Sequence, residues 1–387
     1  MWMWIGIGIA ALAVVFLVLV GYWQTRRSDD LDDIAVPNQL IVRFKDDVEP
    51  AVIEEIHRKH RCEVMDGLED AGFQVIRSKR KTQWMMEKYM NLPEIEYAEP
   101  DYKVKAFYTP NDPFFPGYQY GPQRVGAPAA WEVSQSSSNI IIAIVDSGIE
   151  LSHPDLAGKL LQGYDFVDGD AVPADSNGHG THVAGIAAAI TNNARGIAGM
   201  APFASILPVR VLDHNGNGSM STVASGIIYA ANRGAQVINL SLGSPYDTST
   251  LQYAVSYAWS RGSVLVAAAG NDGLPTPNYP ANYPNVLAVA ATDAYDFKTP
   301  FSNFGTWVDV AAPGASILST YLGGNYAYLD GTSMAAPHVS GIAALLAAQG
   351  RSNTQVHDII RTTSDPVLYT GIFWIFGRVN ADRAVRS

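Results

Sequence analysis

Cysteine is almost absent: Cys62 is the single one in 387 residues, so no disulfide can close within the chain. That scarcity does not fix the compartment, because a domain of this size can be held by its core and by bound ions. Basic residues are also scarce, 26 Lys and Arg against 37 Asp and Glu, and the net charge of −11 excludes a nucleic-acid binder, which needs a basic face. Charged residues make up 16% of the chain and hydrophobic ones 48%, which excludes intrinsic disorder and allows one large core plus a small second domain. A zinc-protease pattern is missing too. His179 and His182 lie three apart with no glutamate between them, where that pattern needs four and a glutamate. His182 is expected to be a packed, hydrogen-bonded core residue.

Three glycine-flanked stretches carry the chemistry. Residues 329–345, LDGTSMAAPHVSGIAAL, read as a tight Gly-Thr-Ser turn feeding an Ala-rich buried helix. Gly331 permits an unusual backbone there, and a hydroxyl at Ser333 lies in a first turn whose free N–H groups favour developing negative charge. Alone, Gly-Thr-Ser is an ordinary helix cap. Residues 139–150, NIIIAIVDSGIE, form an apolar run that predicts a strand buried on both faces, with Asp146 at its carboxyl end. Residues 176–190, SNGHGTHVAGIAAAI, hold His179 between two glycines at a helix start.

The chain order is therefore Asp146, His179, Ser333. With the flanks GHGTHVAG and GTSMAAPHVSG, the chain closely resembles the subtilase family of serine endopeptidases, from residue 108 to the end. A lipase or esterase would carry its serine before the acid and the histidine, the reverse of this order. The resemblance implies an α/β, subtilisin-like three-layer fold with a mainly parallel twisted sheet, which the alternation of apolar runs and helical segments also supports. It implies Ser333 as nucleophile, His179 as base, Asp146 as the group orienting the imidazole, and Asn271 as an oxyanion donor. It further implies polypeptide substrates paired as a strand against Gly216, Gly218, Ser241, Leu242 and Gly243. Ala268 and Gly270 would form a pocket wall small enough to admit an apolar or aromatic side chain.

The same resemblance implies Ca2+ as cofactor. Asp112, Asp155 and Asn193, with backbone carbonyls of Ile190, Arg195 and Ile197, match a tight site, and oxygen ligands of this kind suit calcium. Asp165, Asp168 and Asp170 match a second site, where Ala174 departs from the pattern and Asp175 is the available substitute. Asp309 reads as a solvated loop aspartate.

Residues 1–23, MWMWIGIGIAALAVVFLVLVGYW, carry no charge and are long enough to span a bilayer, with tryptophans suited to its interfaces. Lacking a basic start or a small-residue cleavage site, they read as an uncleaved membrane anchor rather than a signal peptide. Arg26 and Arg27 would by the positive-inside rule keep the downstream chain in the cytoplasm, whereas the resemblance implies an extracytoplasmic protease. Residues 24–37 read as a linker and 38–107 as a β-α-β-α-β unit of ferredoxin-like type, similar to the inhibitory propeptide of subtilases. Residues 108–387 are then the peptidase domain, a monomer released by self-processing near Phe107 and Tyr108. The rival reading is a catalytically silent, membrane-anchored scaffold that binds peptides.

Overall fold

A computed structural model describes residues 31–65, 72–104 and 108–387, which form two compact units, one ending at Ala106 and the other starting at Phe107. The apolar segment 1–23, expected to be a membrane anchor, lies outside the described residues, as do residues 105–107 at the expected processing junction. Among the described residues no helix is long and apolar enough to cross a membrane.

In the first unit, strand β1 (Ala35–Phe44), helix α1 (Pro50–His60), β2 (Cys62–Val64), β3 (Gln74–Ser78), α2 (Thr82–Tyr89) and β4 (Ile95–Tyr102) follow in order. The strands form an antiparallel sheet in the order β2-β3-β1-β4. Leu40, Val42, Ile76, Met85 and Tyr89 fill the space beneath the helices. Two expectations are corrected. The linker ends before residue 35, because Ala35 is buried and pairs with Tyr102. The unit also has a strand more than expected: β2 has three residues, too few to show a strand's alternation in sequence.

The second unit is built on eight parallel strands in the order β14-β11-β10-β9-β8-β5-β7-β6. Its centre is β5 (Ile141–Asp146), flanked by β7 (Ser205–Arg210) and β8 (Val237–Leu240), with β9 (Val264–Ala268), β10 (Val286–Thr292) and β11 (Val310–Pro313) beyond β8. The short strands β6 (Tyr164–Asp165) and β14 (Gly377–Arg378) close the edges, and β12 (Ile317–Tyr321) pairs antiparallel with β13 (Asn325–Leu329) in a separate two-stranded sheet. Nearly every residue of the central strands is buried, as a parallel sheet covered on both faces requires. The chain leaves β5 to build one side of the sheet and returns to β8 on its other side. Asp146 therefore ends the strand at a topological switch point, where open α/β sheets place their sites.

One face carries helix α3 (His179–Ala188) and helix α6 (Thr332–Ala347), and the other α4 (Met220–Asn232) and α5 (Ser249–Ser260). Helix α6 is mostly apolar and buried around its whole circumference, as an interior helix must be. Small residues let it approach its neighbours. A Cβ added at Gly341 would fall 2.2 Å from that of Met200. Both helices that carry candidate chemistry thus start at the carboxyl edge of the sheet with their bodies fixed in the core.

Candidate active site

Asp146, at the end of β5, is fully buried and accepts from the Ser147 amide and from His179 Nδ1, each at 2.7 Å through Oδ1. His179 is the first residue of α3. Gly178 before it has φ +101°, and a Cβ there would strike the Tyr321 ring at 2.5 Å, so the turn requires glycine twice over. Burial disfavours the charged imidazole, but Asp146's charge and hydrogen bond outweigh it, and His179 is held above its ordinary pKa. His182 is buried, hydrogen-bonded through Nε2 to the Ala327 carbonyl at 3.0 Å, and pushed by burial down to about 4.

The turn holding His179 depends on Asp175. One of its oxygens accepts from the Ser147 hydroxyl and the Asn177 and Gly178 amides, and the other from the Thr181 amide and hydroxyl. Its carboxylate is fully engaged in this role, so the expectation that it substitutes in a second calcium site is corrected. In sequence the only signal is an Asp just before a Ser-Asn-Gly turn.

Ser333 is the second residue of α6, after Gly331, whose backbone (φ +155°, ψ 158°) belongs to a region open to glycine. Asn271, three residues beyond β9, accepts from the Thr332 amide at 2.9 Å and hydroxyl at 3.0 Å through Oδ1. Two donors on that oxygen fix the amide's orientation, leaving Nδ2 as the outward donor. A Cβ built on Gly331 would lie 3.5 Å from Ser333 N and 3.6 Å from both Asn271 Nδ2 and Met334 Sδ, so the two nitrogens flank the same side of Gly331. Ser333 Oγ itself donates to the Ser241 carbonyl at 3.1 Å. A hydrogen bond to His179 thus requires the hydroxyl to leave Ser241.

Beside these residues lies a groove of about 650 Å³ that is lined by His179, Gly216, Gly218, Ser241, Leu242 and Gly243. Five of the seven expected substrate-binding residues meet here. Ala268 and Gly270 do not line it: Ala268 is buried as the last residue of β9, and the Gly270 amide donates to Thr332 Oγ1. A residue missed in the sequence adjoins Gly243, which lines the groove, and Gly270, which does not. Cβ atoms added at Gly243 and Gly270 would fall 2.6 Å and 2.8 Å from the Asn278 amide nitrogen, so Asn278 lies between the two segments. Its only mark in sequence is a place in a Pro-rich loop.

The two sets of acidic residues differ. Asp112 and Asp155 are fully buried, and no ion pair among the described residues reaches them. Burial pushes the Asp112 carboxyl up, the amides of Asn192 and Asn193 oppose this, and Asp155's charge adds to the rise. The loop bearing Ile190, Arg195 and Ile197 folds onto them. Asp155 accepts from Ile197 N at 3.0 Å and from Tyr326 Oη at 2.8 Å, and its own carbonyl from Ile190 N. Two buried like charges without a cationic side chain fit a hard, oxygen-preferring cation. Asn193 directs Nδ2 at Asp155 at 2.7 Å, so its amide must turn to offer oxygen.

The second set does not fit. Arg210 Nη1 lies 2.6 Å from both Asp165 and Asp168, supplying the positive charge itself, and Asp165 Oδ1 is taken by the Val167 and Asp168 amides. Asp170 accepts from Val172 N. Asp309, expected to be a solvated loop residue, is mostly buried and pairs with Arg361 at 3.3 Å while accepting from Ala288 N. Among the described residues no three or more His, Cys, Asp or Glu side chains cluster closely enough to hold a metal by themselves. A cation at the first site would therefore rely on amide and backbone oxygens beside its two carboxylates.

Comparison with known proteins agrees with this construction. Residues 137–379 match the model of the subtilase family, and residues 32–101 that of the fervidolysin N-terminal prodomain. Over 279 residues the chain is 58% identical to thermitase of Thermoactinomyces vulgaris, covering 72% of this chain and 100% of that protein. It is 57% identical over 295 residues to a thermophilic serine proteinase of Bacillus sp. (strain AK1), covering 76% of this chain and 74% of that one. A solved protease of Pseudoalteromonas arctica PAMC 21717 superimposes with a TM-score of 0.67 at 34% identity, covering 72% of this chain and 99% of the other. The chain belongs to the subtilase family, and it is a subtilisin-like serine protease that carries an N-terminal prodomain.

Proposed function

We propose that the protein is an endopeptidase in which Ser333 attacks the peptide carbonyl, His179 moves the proton and Asp146 orients and stabilises the imidazole. The observation that carries this reading is the 2.7 Å contact between His179 Nδ1 and Asp146 Oδ1, because it leaves Nε2 as the nitrogen that must face the nucleophile. On binding substrate, the Ser333 hydroxyl turns from Ser241 to His179. Its proton passes to Nε2 as Oγ bonds to the carbonyl carbon, and the resulting oxyanion sits between Ser333 N–H and Asn271 Nδ2. His179 then protonates the leaving amine as the C–N bond breaks. A water attacks the acyl-enzyme by the same route and restores Ser333.

The substrate lies as an added strand along residues 216–218 and 241–243, and an apolar or aromatic side chain is favoured before the cut. The prodomain assists folding and then inhibits the peptidase until the chain cuts itself near Phe107 and Tyr108. Residues 1–23 tether the precursor on the extracytoplasmic side of the membrane, and the cut frees a monomeric peptidase. Asp112 and Asp155, with Asn193 and the carbonyls of Ile190, Arg195 and Ile197, hold Ca2+, whose charge relieves the repulsion between the two buried carboxylates. Chelation should therefore speed thermal inactivation of the mature protein. Asp155→Ala should be equally labile with or without chelator, and equal chelator sensitivity of both proteins would exclude this site.

N-terminal sequencing of the native chain and of Ser333→Ala after expression tests the main reading. The native chain should begin near Tyr108 and the variant should stay full-length and inactive. If both remain full-length, self-processing is excluded.

A further inference from the structure

The helix that presents Ser333 contains a proline where its first turn can least tolerate one. Pro337 lies four residues after Ser333 inside α6, and having no N–H it cannot supply the helical hydrogen bond to the Ser333 carbonyl. The missing donor comes from the sheet. Ser241, just beyond β8, donates its hydroxyl to Ser333 O at 2.8 Å.

Ser241 Oγ is itself held. Asn239, the third residue of β8, donates Nδ2 to it at 2.9 Å. Asn239 Oδ1 accepts in turn from Ser340 Oγ at 2.8 Å. Asn239 and Ser340 are fully buried and Ser241 nearly so, so no solvent competes for these groups. Every bond runs in one direction: Ser340 to Asn239, Asn239 to Ser241, Ser241 to the Ser333 carbonyl. Such a chain polarises its members in concert. Ser340 lies seven residues after Ser333, two turns along the same helix face. The path leaves α6, enters the sheet and returns to the first turn of the same helix.

We propose that Asn239 and Ser340 are positioning residues for the nucleophile. They fix the Ser241 hydroxyl as a donor, and that donor replaces the helical bond removed by Pro337 and holds the Ser333 main chain in register with the oxyanion pocket. Ser241 is then more than a wall of the substrate groove. Its backbone carbonyl receives the resting Ser333 hydroxyl and its side chain holds the Ser333 backbone, so the residue that follows strand β8 sets both the position and the resting direction of the nucleophile.

The inference rests on Ser333 being the nucleophile, and the test separates the two. Active sites are titrated with phenylmethanesulfonyl fluoride, and kcat and KM for a peptide anilide are expressed per titrated site. If the native protein takes up no reagent at Ser333, the assignment of the nucleophile itself fails. If it does, Ser340→Ala should lower kcat per titrated site by about three- to tenfold, the size associated with one neutral hydrogen bond, with KM within about twofold. Ser340→Thr, which keeps the hydroxyl, should restore kcat. Ser241→Ala combined with Ser340→Ala should lose no more than Ser241→Ala alone, because one path is broken twice. Alanine suits a helix interior, so the helix should persist. Should Ser340→Ala not yield folded protein, Asn239→Asp gives the same test by keeping the acceptor for Ser340 and removing the donor to Ser241. An unchanged kcat per titrated site, a threonine variant as impaired as alanine, or losses that multiply in the double variant would each overturn the proposal.

Discussion

Asp146→Asn will lower kcat by about 10⁴ and move the acid limb of the pH–rate profile downward; that loss is the one established for the corresponding change in a chymotrypsin-type triad. The Ser147 amide and His179 Nδ1 meet the same oxygen, Oδ1, so an asparagine that turns its NH2 group to the imidazole gives up the Ser147 contact as well. The imidazole changes with it. A carboxylate accepts from Nδ1–H and so holds the proton on that nitrogen, whereas the asparagine NH2 group can donate to Nδ1 and select the opposite tautomer. Nε2 then carries a hydrogen and cannot take the Ser333 proton. The pH effect follows from the balance at His179, where burial lowers the pKa and Asp146's charge and hydrogen bond raise it by more. With the charge removed, burial prevails and the imidazole falls below its present value. The base works only when neutral, so the acid limb of kcat/KM follows that pKa down even as the plateau collapses. Measuring kcat/KM against pH for both proteins decides the matter. An acid limb that stays in place, or moves up, would mean that some other group sets the ionisation of His179.

The parts of the site that are legible in sequence are those written in local backbone chemistry. Asp146 ends a continuous apolar run, and His179 and Ser333 follow glycines whose conformations no other residue adopts comfortably. Each of these signals fits within a dozen residues. The features that escape a sequence reading depend on groups that the fold brings together from far apart. Asp165 and Asp168 look like cation ligands because Arg210, their partner, is more than forty residues away. Asp309 looks solvated because Arg361 lies on a later helix. Asn278 and the Ser340–Asn239–Ser241 path are invisible for the same reason: an asparagine in a Pro-rich loop and a serine in an Ala-rich helix carry no mark of their partners. Acidic spacing shows where charge gathers, but only the fold shows whether a protein cation already balances it.

Asn271→Ala should lower kcat by about 10² to 10³ with KM little changed, a size established for subtilisin's own oxyanion asparagine. In the proposed mechanism Nδ2 faces the point where charge develops in the transition state, so its loss should raise the barrier and leave ground-state binding alone. Alanine also removes the acceptor for the Thr332 amide and hydroxyl, and a loosened helix start could lower the rate by itself. Asn271→Asp separates the two effects. It keeps Oδ1 and hence both contacts to Thr332, but places an oxygen where Nδ2 was, so a donor becomes a like charge facing the oxyanion. If Asn271 acts by donating to the oxyanion, the aspartate variant must be at least as impaired as alanine although its helix start is intact. If aspartate keeps most of the activity, Asn271 serves mainly to anchor Thr332, and the Ser333 amide would be left as the one identified donor to the intermediate.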